Sequence, residues 1–239
     1  MIQLNSLLGL LDFWDPMESS GEDMVELCDW GISIANRIQD NFLRAYFLGQ
    51  KGYYVSHIYS QLDMLTAFQI RADNVIGLGT ITESQRQTTI NRLKDLEDRY
   101  TRAFDEAIDI SKSNYDLRGL ANVLVSIGNA AGQRALYLQA LGVSERAEAE
   151  KQICKRSFLI ARDAHAYLKD ELGVANALFN LANQIRFFGE NNEALQLTNN
   201  AIDVATKYGD APLLQRATWL KESLETGKIP DYLGGERRI

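Results

Sequence analysis

The chain has 239 residues, 46% hydrophobic and 24% charged, the balance of a globular protein long enough to bury a substantial core. Its formal charge of −7 at pH 7 and pI near 5 argue against the basic stripe by which general nucleic-acid binders hold phosphates. The small basic groups, Lys151 with Lys155 and Arg156, and Arg237 with Arg238, read as solvated surface.

In chain order, residues 4–14 come first as an apolar run. It lacks a basic n-region and a cleavage site, so it is not a signal peptide, and it is too short to span a bilayer. Residues 1–18 are expected to form a short capping helix, with a dimerisation element giving a homodimer as the alternative. These features predict a cytoplasmic protein. Ser19 with Glu22 and Thr82 with Gln85 have the spacing of a capping box. Long helices are predicted over 42–73 and 82–114, each about 45–50 Å at 1.5 Å per residue. Apolar residues then recur at helical spacing: Leu178, Leu181 and Ile185 on one face, and Ala194, Leu197, Ala201, Val204 and Tyr208 on another. No stretch alternates as a strand would, so the class is all-α. Four aspartates, Asp40, Asp116, Asp170 and Asp210, stand where one helix ends and the next begins, placed to accept the unpaired N-terminal amides. Ser144 and Asn191 are expected as simple N-caps. Cys28 and Cys154 fall in helical patterns as small apolar residues; a disulfide between them is left open.

The sequence also repeats itself. LRGLANVLVSIGNA (117–130) and ELGVANALFNLANQ (171–184) share Gly, Ala-Asn, Leu and Asn at the same spacing. Ahead of three of the boundary aspartates stands Ala-x-Asp, with Ala107, Ala161 and Ala201 and the paired acids Asp109, Asp163 and Asp203. The boundaries lie 76, 54 and 40 residues apart, the first interval holding an enlarged hairpin. Such self-similarity marks a helical solenoid, in which each helix pair leaves an apolar face for the next to cover.

Over 177–210 the chain resembles a tetratricopeptide repeat: Leu178, Leu181-Ala182 and Ile185 on the first helix, Gly189 in the turn, Ala194 and Ala201 on the second. The repeat before it supplies Leu124, Ile127-Gly128, Cys154, Phe158 and Ala161, and the enlarged hairpin Phe104 and Ala107. The resemblance covers about 26–226. It lacks the family's common Trp and closing Pro, and its 40-residue spacing is similar to the longer repeats of kinesin light chains and some bacterial regulators. It implies a right-handed α-α superhelix of about four irregular hairpins, with a solenoid over 19–226, its enlarged hairpin at about 41–114, and a Gly- and Pro-punctuated tail over 227–239.

In that family the first helix of each hairpin lines the concave face, and asparagines there bond the backbone of a bound peptide. Asn176, Asn180 and Asn183 fall at i, i+4 and i+7, and Asn122, Ser126 and Asn129 take the same positions one repeat earlier. The equivalent register of the long helix gives Tyr46, Gln50 and Tyr53, with His57 one turn on, and Arg186 follows as a charged anchor for a carboxylate or carbonyl. An amide offers both donors and an acceptor, which suits an extended main chain. The competing interpretation is a solvated helix face. Of the aromatics, Phe47, Tyr54 and Tyr59 are expected in the core and Tyr46 and Tyr53 in the groove.

Enzyme signatures are missing from the sequence. His57 and His165 stand more than a hundred residues apart without metal-ligand spacing, and there is no phosphate-cradling glycine loop or nucleophile elbow. The expected function is a non-catalytic scaffold or adaptor for a peptide or protein, without cofactor or metal. Two alternatives are a regulatory or sensing arm of a larger machine, and an enzyme with a deep pocket of convergent ionisable groups between the long helices.

Overall fold

A computed structural model describes residues 21–76 and 83–227. The capping helix, the tail beyond Gly227 and the caps Ser19 and Thr82 lie outside them. Among the described residues the fold is eight α-helices and no strand: α1 (Gly21–Ile38), α2 (Asn41–Ile76), α3 (Glu83–Ser113), α4 (Leu117–Ala140), α5 (Ser144–Tyr167), α6 (Glu171–Ile185), α7 (Asn191–Tyr208) and α8 (Ala211–Thr226), with a 3-10 turn at Arg186–Phe188. No described helix is long and apolar enough to cross a membrane.

The boundary aspartates close one helix and open the next. Each backbone N–H of Asp40, Asp116, Asp170 and Asp210 donates to the carbonyl five residues back, at 2.8–2.9 Å. Each carboxylate then accepts the amide three residues ahead: Leu43, Gly119, Gly173 and Leu213, at 2.8–3.0 Å. The first bond is the Schellman closure and the second an N-cap. Closure requires a left-handed residue just before the aspartate, and these are Gln39 (φ 56°), Tyr115 (φ 54°), Lys169 (φ 56°) and Gly209 (φ 69°). Three of the four carry a Cβ at a conformation that costs roughly 1–2 kcal/mol.

Within hairpins the same closure uses Gly142 and Gly189. It places Val143 and Glu190 at the N-cap, neither with a side-chain cap bond. Ser144 and Asn191 are therefore the first helical residues of α5 and α7, not their caps. The left-handed residue decides where the helix stops, and the chain turns one residue sooner than the side-chain chemistry suggests.

Helices pack mainly on their sequence neighbours, and α2, α4, α6 and α8 also stack on one another in series. This is an α-solenoid, with three complete hairpins (α2/α3, α4/α5, α6/α7) flanked by α1 and α8, where about four hairpins were expected. Close crossings explain the small residues. A Cβ on Gly128 of α4 would sit 2.8 Å from the ring of Phe158 on α5, and one on Gly52 of α2 would sit 2.6 Å from Phe104 on α3. Ala107, Ala161 and Ala201 are fully buried at equivalent crossings. Phe47, Phe158, Ile185 and Leu213 are also fully buried, each contributing about 1.5–3 kcal/mol. Tyr208, expected on the apolar face of α7, is instead exposed at the helix end, beneath the Lys207 ammonium. Thr198 takes a buried place there, its hydroxyl donating to the Ala194 carbonyl.

Cys28 and Cys154 are buried and unpaired, and burial pushes both thiols up to about 12. His165 is also buried: its Nδ1 lies 3.1 Å from Asp170 Oδ2, and a Cβ on Gly173 would meet the ring at 2.1 Å. The glycine of the repeated motif is thus required at this position by the His165 ring of α5 packed against it.

Candidate functional site

The stacking of α2, α4, α6 and α8 leaves one face of each along a common groove of about 990 Å³. Nine of the ten expected positions line it: Tyr46, Gln50 and Tyr53 from α2, Asn122, Ser126 and Asn129 from α4, Asn180 and Asn183 from α6, and Arg186 just beyond. The i, i+4, i+7 spacing puts each set on one face, and the solenoid brings three helices into register. Asn176 is the exception. Its side chain donates to the Leu172 carbonyl and accepts from Arg216 Nη2 at 3.3 Å, so it steadies that arginine from outside the lining.

Several groove amides are already engaged. Gln50 Nε2 donates to Ser126 Oγ at 3.4 Å, Gln184 Nε2 to Asn129 Oδ1 at 3.2 Å, and Asn180 Nδ2 to the Asn176 carbonyl at 2.9 Å. A chain of bonds holds the α2 side: Gln61 Nε2 donates to His57 Nε2, leaving Nδ1 to donate to Gln133 Oε1, and Gln133 Nε2 donates to Tyr53 OH, each at 2.9 Å. Among the described residues the side-chain amides of Asn122 and Asn183 have no hydrogen-bond partner. Both are half-buried in the lining and have donors and acceptors to offer an occupant.

Sequence reasoning missed Gln133, Phe179, Gln184, Phe187, Arg216 and Trp219, all of which line the groove. Gln133 was within reach of it, lying one turn after Asn129 on the same stripe. Arg216 and Trp219 belong to α8, whose register shares no motif with the earlier helices. The Arg186 guanidinium lies 4.3 Å from the Phe187 ring centroid, with Nη1 near Ser223 Oγ, and that of Arg216 lies 5.2 Å from the Phe179 centroid. Phe47 is fully buried, and Tyr54 and Tyr59 pack against the core of Val25, Val55 and Leu96.

A second polar cluster lies where the long hairpin meets α4 and α5. Arg134 makes a two-pronged pair with Glu150 (3.1 and 2.8 Å), donates to Ser56 Oγ at 2.9 Å and lies over the Tyr100 ring. Burial raises Tyr100 to about 12 and, opposed by Arg146, raises the Asp63 carboxyl above its ordinary value. These are the ionisable groups an enzyme site between the long helices would require, but the space among them is about 40 Å³. That admits a water or two, where ligand pockets begin at roughly 300 Å³.

The sequence model of the anaphase-promoting complex subunit 5 family matches residues 92–131 and 143–226, just over half of the chain. The chain belongs to the anaphase-promoting complex subunit 5 family. That family is one of tetratricopeptide-like helical repeats and takes its name from a subunit of a multi-protein complex. The anaphase-promoting complex subunit 5 match starts within α3 and ends with α8, so it takes in α6, α8 and the first part of α4, leaving α1 and α2 outside. No curated protein matches the chain at a significant level.

Proposed function

We propose that this protein is a non-catalytic, cytoplasmic scaffold subunit that holds a segment of a partner protein in the groove of α2, α4, α6 and α8. The observation that carries the reading is the alignment of amides and hydroxyls from successive helices along that groove. Membership of a family named for a subunit of the anaphase-promoting complex supports a place within a larger assembly of the same kind. On this reading the partner lies extended, its main chain bonded by the amides of Asn122 and Asn183 and its side chains resting on Phe179, Phe187 and Trp219. Arg186 anchors one end. The solenoid over 19–226 does this work, with residues 1–18 as its cap.

The test is affinity capture from native extract, comparing wild type, Asn122→Ala/Asn183→Ala, and a convex-face control, Asp163→Ala. Two lost hydrogen bonds of about 1 kcal/mol each predict roughly 30-fold weaker capture by the groove variant. Equal capture by all three, with every variant folded, would move the binding surface elsewhere.

A further inference from the structure

The lining of the groove is unlike the rest of the surface in charge. The whole chain has 32 acidic against 25 basic residues, yet the groove holds Arg186 and Arg216 and no carboxylate. Several cations outside the groove are matched with acids: Lys51 with Asp29, Arg134 with Glu150, Lys155 with Glu190, Lys207 with Glu171. Among the described residues Arg216 meets only neutral groups, namely the Pro212 carbonyl, the Asn176 amide oxygen and the Phe179 ring. The cations stand at one end, on α8 and at the C-terminus of α6. The α2 and α4 end offers only neutral amides, hydroxyls and apolar side chains. The groove thus has a polarity.

We propose that the groove selects an acidic segment of its partner, with Asp or Glu side chains at Arg216 and Arg186 and a bulky apolar side chain beside them against Phe179 and Trp219. This rests on the reading of the groove as a peptide seat and adds the chemistry and direction of the occupant. A carboxylate placed there gains charge-assisted bonds from guanidinium groups already packed over aromatic rings, so little side-chain freedom is lost on binding. A basic segment meets the like charge of Arg216, which has only neutral partners among the described residues, in a lining without Asp or Glu, and is disfavoured.

The experiment is selection from a library of random 12-residue peptides displayed on phage, against wild type, Arg216→Gln, Arg216→Glu and a groove-filled variant, Asn183→Trp, each first shown to keep the wild-type thermal midpoint. Arg216 is exposed, so its substitution leaves the core intact. Wild type is expected to enrich Asp and Glu beside an aromatic or aliphatic residue, and Asn183→Trp to lose those peptides. Binding of the selected peptides should fall about tenfold with Arg216→Gln and further with Arg216→Glu, and weaken as salt rises. Groove-dependent peptides without acidic enrichment would overturn the acidic assignment and leave the groove standing. Peptides that bind Asn183→Trp as well as wild type would overturn both. Selection only of peptides whose acid is the terminal carboxylate, lost on amidation, would replace the internal acidic segment with a chain end.

Discussion

The crossing of α4 and α5 at Gly128 gives a sharp prediction, because two effects of one methyl group oppose each other there. In a helix with open space, Gly→Ala stabilises by up to about 1 kcal/mol. At Gly128 the new Cβ would lie 2.8, 2.9 and 3.0 Å from three ring atoms of Phe158, which is fully buried. Phe158 belongs to the core formed with Cys154, Ala131 and Phe179, so relief requires helix movement, and overpacking of this kind costs about 1–3 kcal/mol. The sum is a net loss of about 1 kcal/mol for Gly128→Ala. In a Phe158→Leu background the outer ring atoms are gone, and the same substitution becomes stabilising by about 0.5–1 kcal/mol. The cycle therefore predicts a coupling of about 2 kcal/mol with a change of sign. Urea unfolding of the four proteins, followed by far-UV circular dichroism with m-values compared, measures it. Equal stabilisation by Gly128→Ala in both backgrounds would refute the close crossing.

Three further outcomes follow from the same structure. Lys169→Gly removes a left-handed β-carbon at φ 56° and should raise stability by about 0.5–1 kcal/mol in the same urea assay, since the relief outweighs the extra freedom of the unfolded chain. Glu150→Ala leaves the Arg134 guanidinium without its carboxylate at a largely buried site and should cost about 3–5 kcal/mol, with Arg134→Met/Glu150→Leu recovering much of it. Stability should fall as pH rises from about 9 to 12. Cys28, Cys154 and Tyr100 keep their protons to about 12 when folded, against ordinary values of 9 and 10; the unfolded chain therefore binds fewer protons across that window and is favoured. Thermal midpoints across the window read this, and a flat profile would contradict the burial of those groups.

Much of this was legible in the sequence where one physical requirement repeats. Asp40, Asp116, Asp170 and Asp210 are visible because every turn between hairpins needs a carboxylate to cap the following helix. The groove positions on α2, α4 and α6 are visible because helical spacing and repeat register together place them on one face. Gln39, Tyr115 and Lys169 gave no signal: their left-handed backbone is imposed by the turn on residues that do not prefer it. Ser144 and Asn191 misled for the same reason, since the helix end is set by Gly142 and Gly189 rather than by the nearest capping side chain. The pairing of Arg134 with Glu150 joins neighbouring helices and involves no periodicity. Arg216, which gives the groove its polarity, sits on a helix that does not repeat the asparagine pattern.

The most direct measurement is photo-crosslinking in native cells from single positions carrying a photoreactive residue, at Asn122 and Asn183 in the groove and at Ile160 and Asp163 on the exposed face of α5. The account predicts a discrete adduct with the same partner protein from both groove positions, its crosslinked peptide acidic, and none from α5. Adducts from α5 with none from the groove would contradict it.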